Sequence, residues 1–421
     1  MRKRLTREEM SWALYDVGNS AFVLIVVTTV MPIFFKDVTA RHLDPASSTA
    51  AWGITNAAAS LVVAVLAPVL GTLADYRGMK KRFFLAFAGL GIVFTLLLTF
   101  AGAGNWLFAL AVFAVARIGF AGANVFYDAF LTDVTVSDRM NRISSVGYGW
   151  GYIGGAIPFV VVIAVILAGA GGGAAAGISP AAARAAFVIV AVWWLAFSFP
   201  MLRNVGQRHF LPAEPNPVRQ SFRRLARTFA QIRHHRGAFL FLAAYFFYID
   251  GVDTIITMAA AYGRDLGLSV SMLILVVLAI QVVAFPCALV YGRLADRFSA
   301  RAMIYAGIGV YTVIVMIGFF LPSMPVGVKV YAFWLLAMLV ATSQGGIQAL
   351  SRSYFGRLIP PRQSAEFFGF YNIFGKFATI IGPFLMGVVG QAAGDSRYGI
   401  LSVLVLFVIG GLILRKVEDP G

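Results

Sequence analysis

Apolar residues fall in long unbroken blocks along this chain, and polar residues collect in the short gaps between them. Runs such as 61–70 and 273–279 show no alternation with period two, so they do not read as half-exposed strands. A block of about 20 apolar residues is long enough to cross the hydrocarbon core as a helix. Inside lipid a helix also satisfies its own backbone polar groups. Twelve windows meet this description, near 12–35, 50–74, 83–102, 105–128, 143–168, 184–202, 237–261, 270–292, 302–321, 329–351, 366–390 and 397–414. The gaps are short, so neighbouring helices are expected to run antiparallel. The longest gap, 203–236, holds the helix breakers Pro212, Pro215 and Pro217 and then a basic stretch, 219–236. The pattern predicts an all-α membrane protein with twelve transmembrane helices.

Composition agrees with this reading. Hydrophobic residues make up 60% of the 421 positions and charged residues 12%, against about 25% charged in soluble domains. The net charge of +16 raises the question of nucleic acid, but the position of the charge answers it. Lys and Arg sit between the apolar blocks, which is the signature of membrane topology and excludes a nucleic-acid surface. Twenty-six of the 34 Lys and Arg residues lie in alternate gaps, counted from the N-terminal segment. By the positive-inside rule both termini and the central loop are cytoplasmic; the compact loops suggest a multi-pass protein of a bacterial inner (cell) membrane, with a vacuolar membrane as the alternative. Arg2, Lys3 and Arg4 precede the first block, which is too long for a signal peptide and lacks a small-residue cleavage site. In the central loop, Arg223, Arg224, Arg227 and Arg233 share a helical face. That face fits an amphipathic helix on anionic lipid or a solvated topogenic loop.

Other chemistries find little support. Cys287 is the sole cysteine, and His42, His209, His234 and His235 all fall in gaps. No intramolecular disulfide, zinc site or other metal site is expected, and no cofactor. The chain has no phosphate-binding Gly-rich loop with its Lys, and no nucleophile–base pair within the spans. An enzyme is not expected.

The chain repeats itself. Gly71-Thr-Leu-Ala-Asp75-Tyr-Arg77-Gly78-Met-Lys80-Lys-Arg82 follows the second block, and Gly292-Arg-Leu-Ala-Asp296-Arg-Phe-Ser299-Ala-Arg301 follows the eighth. Asp16-Val-Gly-Asn19-Ser20 in the first block matches Asp250-Gly-Val-Asp253-Thr254 in the seventh. Six spans plus six implies two bundles (1–203 and 237–421) joined by a basic linker (204–236), with a cavity between them. In the loop motif, Gly allows close helix approach, and Asp suits the N-terminus of a neighbouring helix, where the dipole favours negative charge. A gate follows from this arrangement; charge that merely sets topology is the plainer alternative. Ser299 stands in place of the motif's second Gly.

The segment 71–82 resembles the signature loop of the major facilitator superfamily. Trp12-Ala-Leu-Tyr15-Asp16-Val-Gly-Asn19-Ser20-Ala-Phe22 resembles the opening of the vacuole effluxer family and its bacterial relatives. So do Val125-Phe-Tyr127-Asp128-Ala-Phe-Leu131, Tyr248-Ile-Asp250-Gly-Val252, Gly345-Gly-Ile-Gln348-Ala-Leu-Ser351-Arg352-Ser and Ala365-Glu366-Phe-Phe-Gly369-Phe-Tyr371, the last followed by Gly375-Lys376. The resemblance covers nearly the whole chain. It implies the major facilitator fold, solute movement by alternating access and, from fungal members, amino-acid release. Arg117 stands where the superfamily's fourth-span motif has Arg, but Phe120-Ala121 replaces the Gln-Gly that follows it.

Charges inside the bilayer are costly, so each one marks a candidate function. Asp16, Asn19, Ser20 and Val23 share a face of span one; Asp250, Asp253, Thr254 and Thr257 share one of span seven. The superfamily's plan lines the cavity with these two spans. Arg117 needs an anion, and Asp16 of span one or Asp128, about three turns along span four toward the cytoplasm, could supply it; Tyr127 lies beside Asp128. Lys376, with Asn372 and Thr379, could pair Asp250 or Asp253. Gln344, Gln348 and Ser351 form a polar stripe ending at Arg352. Structural ion pairs and helix packing are the plainer readings of these residues. The expected gate comprises Gly71, Asp75, Arg77, Gly78, Lys80, Gly292, Asp296, Arg352 and Glu366. Acidic and basic groups together suit a zwitterion such as an amino acid, and a proton is the candidate coupling ion. The alternatives are an exporter of hydrophobic or cationic compounds and, more remotely, a transport-dead membrane sensor. The partners expected are a small-molecule solute and the lipid bilayer, for a protein acting as a monomer.

Overall fold

The computed structural model describes residues 4–169, 178–212, 217–230, 235–265 and 270–418. Pro215, Arg233 and His234 lie outside them, as do Arg2 and Lys3. Among the described residues the regular elements are all helices, joined by short turns and loops, with one isolated bridge between Tyr76 and Leu211. Twelve helices are long and apolar enough to cross a membrane: Arg7–Thr39, Ser47–Ala74, Met79–Phe100, Trp106–Val134, Ser137–Ala168, Pro180–Asn204, Arg236–Ala259, Met272–Phe298, Ala300–Ser323, Gly327–Leu358, Pro361–Ala393 and Arg397–Leu414. They are numbered here as spans one to twelve.

Most helices outrun their apolar windows. Span four continues to Val134 and span ten to Leu358, because these polar ends are buried: Thr132, Asp133, Arg352 and Ser353 are all at most 2% exposed. Hydropathy sees the lipid-facing stretch, whereas the helix ends where protein contacts end. Span one begins with Thr6 and Glu9 in a reciprocal capping box. It then widens into π-helix over Phe22–Val30, where the Thr28 and Thr29 hydroxyls each donate to a carbonyl five residues back, at 2.8 Å. Such wide turns tend to occur at functional sites.

The chain divides into two compact units. One comprises Met1–Val134, Trp150–Phe222 and Arg362–Gly369; the other comprises Thr135–Gly149, Arg223–Pro361 and Phe370–Gly421. Each unit recruits one short segment, the start of span five or of span eleven, from the opposite half of the sequence. The same pairings recur in both. Span one packs on six, three on four, two on four and three on six; likewise seven on twelve, nine on ten, eight on ten and nine on twelve. The internal repeat in the sequence is therefore a repeat of packing. In the linker, Pro217–Ala230 forms a helix in which Ser221 is buried while Phe222, Arg223 and Arg227 are exposed.

Candidate functional site

The first loop motif builds a closed polar cluster. Span eleven opens with a 3-10 turn at Pro361–Gln363 and continues as α-helix from Ser364. The first-turn amides of such a helix have no partner within it. Asp75 supplies one: its carboxylate accepts from Ala365 N–H at 2.9 Å and Glu366 N–H at 3.2 Å. Asp75 and Glu366 are both fully buried. Gly71 makes the approach possible. A Cβ there would stand 2.9 Å from the Ala365 carbonyl carbon and 3.0 Å from Glu366 Cα, which is backbone that cannot swing aside. Gly78 takes a left-handed φ of 75° and turns the chain into span three, a conformation that suits glycine. Arg77 lies over the Phe210 ring at 5.4 Å.

Lys80 lies within this cluster, away from solvent. Its ammonium is fully buried, 2.6 Å from Asp133 Oδ2 and 2.7 Å from Ser364 Oγ. Asp133 Oδ1 accepts from the Arg208 and His209 amides at 2.9 and 2.8 Å. A buried charge needs both a counter-ion and hydrogen bonds, and this pair has them. Asp133, Ser364 and Arg208 were not among the residues expected from sequence. Asp133 is 53 positions from Lys80 and reads in isolation as an exposed helix-end charge.

The second motif is built differently. Gly292 again permits close approach, but its Cβ would meet the Ser145 side chain, at 2.6 Å, rather than backbone. Asp296 is exposed and makes no hydrogen bond or ion pair with another described residue. Arg352 of span ten reaches span five instead. It is 2% exposed, donates from Nε to Ser144 Oγ at 2.9 Å and from Nη2 to the Ser144 carbonyl at 3.1 Å, and lies 4.5 Å from the Tyr148 ring centroid. Ser353 donates to Asn141 Oδ1 at 2.8 Å beside it. Ser299, at the position of Gly78, holds φ 86° and ψ 150°, backbone strain for a residue with a Cβ. Its hydroxyl accepts from Ala302 N–H at 3.2 Å and caps span nine.

Within the spans, the matched faces of one and seven are both engaged by neighbours. Tyr127 donates to Asp16 Oδ2 at 2.6 Å, stacks on Trp12 at 4.6 Å, and accepts the Trp12 indole N–H on its carbonyl at 2.9 Å. Asn19 donates to Asn124 at 2.9 Å. Asp16 thus turns to Tyr127, and the expected pairing of Arg117 with Asp16 or Asp128 does not form; Asp128 is half-buried. In span seven, Asp250 Oδ1 accepts from the Gly382 amide at 2.9 Å, with the Thr254 hydroxyl at 3.5 Å. Asp250 Oδ2 is buried without a hydrogen-bond partner among the described residues. Asn372 and Lys376 lie half-buried on span eleven, and the side chain of Thr379 lies outside the described residues. Ser20, Arg117, Asp253, Gln344 and Gln348 are half-buried. Among the described residues, none of these five side chains has a hydrogen-bond or ion-pair partner.

Fold and sequence can now be placed among known proteins. The chain is similar to the proton:xylose symporter XylE, a major facilitator superfamily protein, with a TM-score of 0.72 at 13% identity, covering 98% of this chain and 96% of that one. It is also similar to a bacterial homologue of the iron transporter ferroportin in its outward-facing state, with a TM-score of 0.71 at 14% identity, covering 97% and 98%. At such identities the likeness shows the fold alone: twelve helices of the major facilitator type. The sequence model described as "Vacuole effluxer Atg22 like" matches residues 43–418, and the chain belongs to that family. YxiO of Bacillus subtilis (strain 168), an uncharacterized MFS-type transporter, is 49% identical over 420 residues, spanning 100% of this chain and 96% of the relative. Autophagy-related protein 22 of Coccidioides immitis is 24% identical, spanning 85% and 71%. The protein is an integral, multi-pass membrane transporter of the major facilitator type.

Proposed function

We propose that this protein is a secondary active transporter that moves a small zwitterionic metabolite of the amino-acid class by alternating access, with a proton as coupling ion. One observation carries the reading: polar side chains of both signs lie half-buried inside spans without a hydrogen-bond or ion-pair partner among the described residues. Arg117 presents an unpaired cation, and Asp253, beside the unpartnered oxygen of Asp250, presents the acid. Intramembrane charges persist only where a partner, water or a solute meets them. A zwitterionic solute offers a carboxylate, which suits Arg117 of the first unit, and an amine, which suits Asp253 of the second; Gln344 and Gln348 offer neutral hydrogen-bonding groups. Asp250, held by one oxygen, is the candidate proton carrier. The basic gaps put both termini and the linker in the cytoplasm of a bacterial cell. Asp75 and Lys80 of the first motif with Glu366 of span eleven, and Arg352 of span ten, are the gate on that side.

Counterflow in proteoliposomes tests the reading. Vesicles loaded with an unlabelled amino-acid mixture are expected to accumulate labelled amino acids, with at least a tenfold loss in Arg117→Gln and in Asp253→Asn. Counterflow of lipophilic cations in place of amino acids would establish the exporter reading instead. Full amino-acid activity in both variants would remove these residues from the site.

A further inference from the structure

We infer that the groove between spans nine and twelve is a binding site for one anionic phospholipid. Arg301, Tyr305, Ile308 and Thr312 recur every three or four residues and therefore share one face of span nine. Across from them lie Val408, Gly411, Leu412 and Arg415 of span twelve and its end, and together they line an open groove of about 530 Å³. Both guanidinium groups sit at the same end of the groove, because Arg301 is in the first turn of span nine and Arg415 follows the last residue of span twelve. Below them the walls turn apolar. Val408 and Leu412 are 58% and 60% exposed, and Ile308 faces them from span nine. Gly411 has no side chain to fill the floor, and its carbonyl holds the Tyr305 hydroxyl at 2.8 Å.

Charge complementarity decides the occupant. Arg301 gives one N–H to the Val417 carbonyl at 2.7 Å, which fixes the side chain and leaves its other donors available. Among the described residues neither Arg301 nor Arg415 has an ion-pair partner. The nearby carboxylate of Glu418 is exposed and pairs with no described residue. Two cations over an apolar trough match a phosphodiester above an acyl chain. Basic pockets between transmembrane helices recognise anionic headgroups in this way. A free phosphate would use the cations but has nothing to lay along Ile308, Val408 and Leu412. A zwitterionic lipid brings a second positive charge to a mouth that already holds two.

Native mass spectrometry of the full-length protein, released from detergent, tests the site. The wild type is expected to retain one phosphatidylglycerol in about 10- to 30-fold preference to phosphatidylcholine, the scale of two favourable Arg contacts at a membrane surface. Arg415→Gln is expected to lose about half of that preference on a logarithmic scale. Gly411→Leu is expected to abolish retention while leaving both charges in place, so it separates a groove from loose surface attraction. Equal retention of the two lipids would overturn the proposal, as would unchanged retention in Gly411→Leu. Displacement of the lipid by millimolar inorganic phosphate, or a protein dimer in place of the lipid adduct, would reassign the groove and equally overturn it. If Gly411→Leu proves unstable, Arg415→Gln together with Arg301→Gln carries the test, with retention equal to the wild type as the contradicting result.

Discussion

The two copies of the loop motif share a sequence and differ in what their acids do. Asp75 is fully buried and receives two first-turn amides of span eleven. Asp296, at the matching position, is exposed and makes no hydrogen bond or ion pair with another described residue, though the charges of Arg142 and Arg357 act on it. In its place the second unit uses Arg352, which grips the Ser144 carbonyl and hydroxyl of span five. The first unit adds a buried ion pair, Lys80–Asp133, that the second does not reproduce within its motif, where exposed residues follow Asp296. A duplicated motif thus preserves a backbone shape while the polar contacts on it diverge. The glycine positions report the same divergence: Gly71 faces backbone, and Gly292 faces the Ser145 side chain.

Substitutions can break or sharpen this contrast. The largest effect is expected at the buried pair. Asp133→Asn leaves the Lys80 ammonium buried beside a neutral group and should cost about 3–5 kcal/mol. Denaturant unfolding in detergent measures this, and Lys80→Met added to Asp133→Asn should restore part of the loss. Next comes the acid of each motif. Asp75→Asn weakens two charge-assisted hydrogen bonds at a helix N-terminus and should cost about 2 kcal/mol, whereas Asp296→Asn should stay within about 0.5 kcal/mol. Equal costs would erase the asymmetry. The smallest effect has the opposite sign. Ser299→Gly should stabilise by about 1 kcal/mol, because relief of the positive φ outweighs the few tenths lost with its cap; Gly78→Ser should destabilise by a similar amount.

Much of this was legible in the sequence, and the limits are physical. Apolar blocks located all twelve spans, and span twelve runs over the same residues, 397–414, that its pattern predicts. Gly71 and Asp75 could be read as a close approach and a helix-end partner, because both demands are local to the motif. The destination of Lys80 could not, since Asp133 and Ser364 reach it only through tertiary packing, 53 and 284 positions away. The expected anion for Arg117 failed for a related reason. Helical spacing puts Asp16 on the right face, but spacing cannot reveal that Tyr127 takes it first. The π-helical stretch of span one was equally hidden, because the β-branched residues that fill Phe22–Val30 lower helix propensity slightly without distinguishing a wide turn from an ordinary one.

Asp75 holds the start of span eleven and Asp296 makes no hydrogen bond or ion pair with a described residue; the proposed gate requires that this hold be released during transport. Ser364 is fully buried, so a cysteine there reports that release. With Cys287→Ser as background, alkylation of Ser364→Cys by a soluble maleimide should be slow in otherwise unaltered protein. It should rise at least tenfold when Asp75→Asn is added, and stay unchanged when Asp296→Asn is added. Equal acceleration by both substitutions, or by neither, would contradict the account.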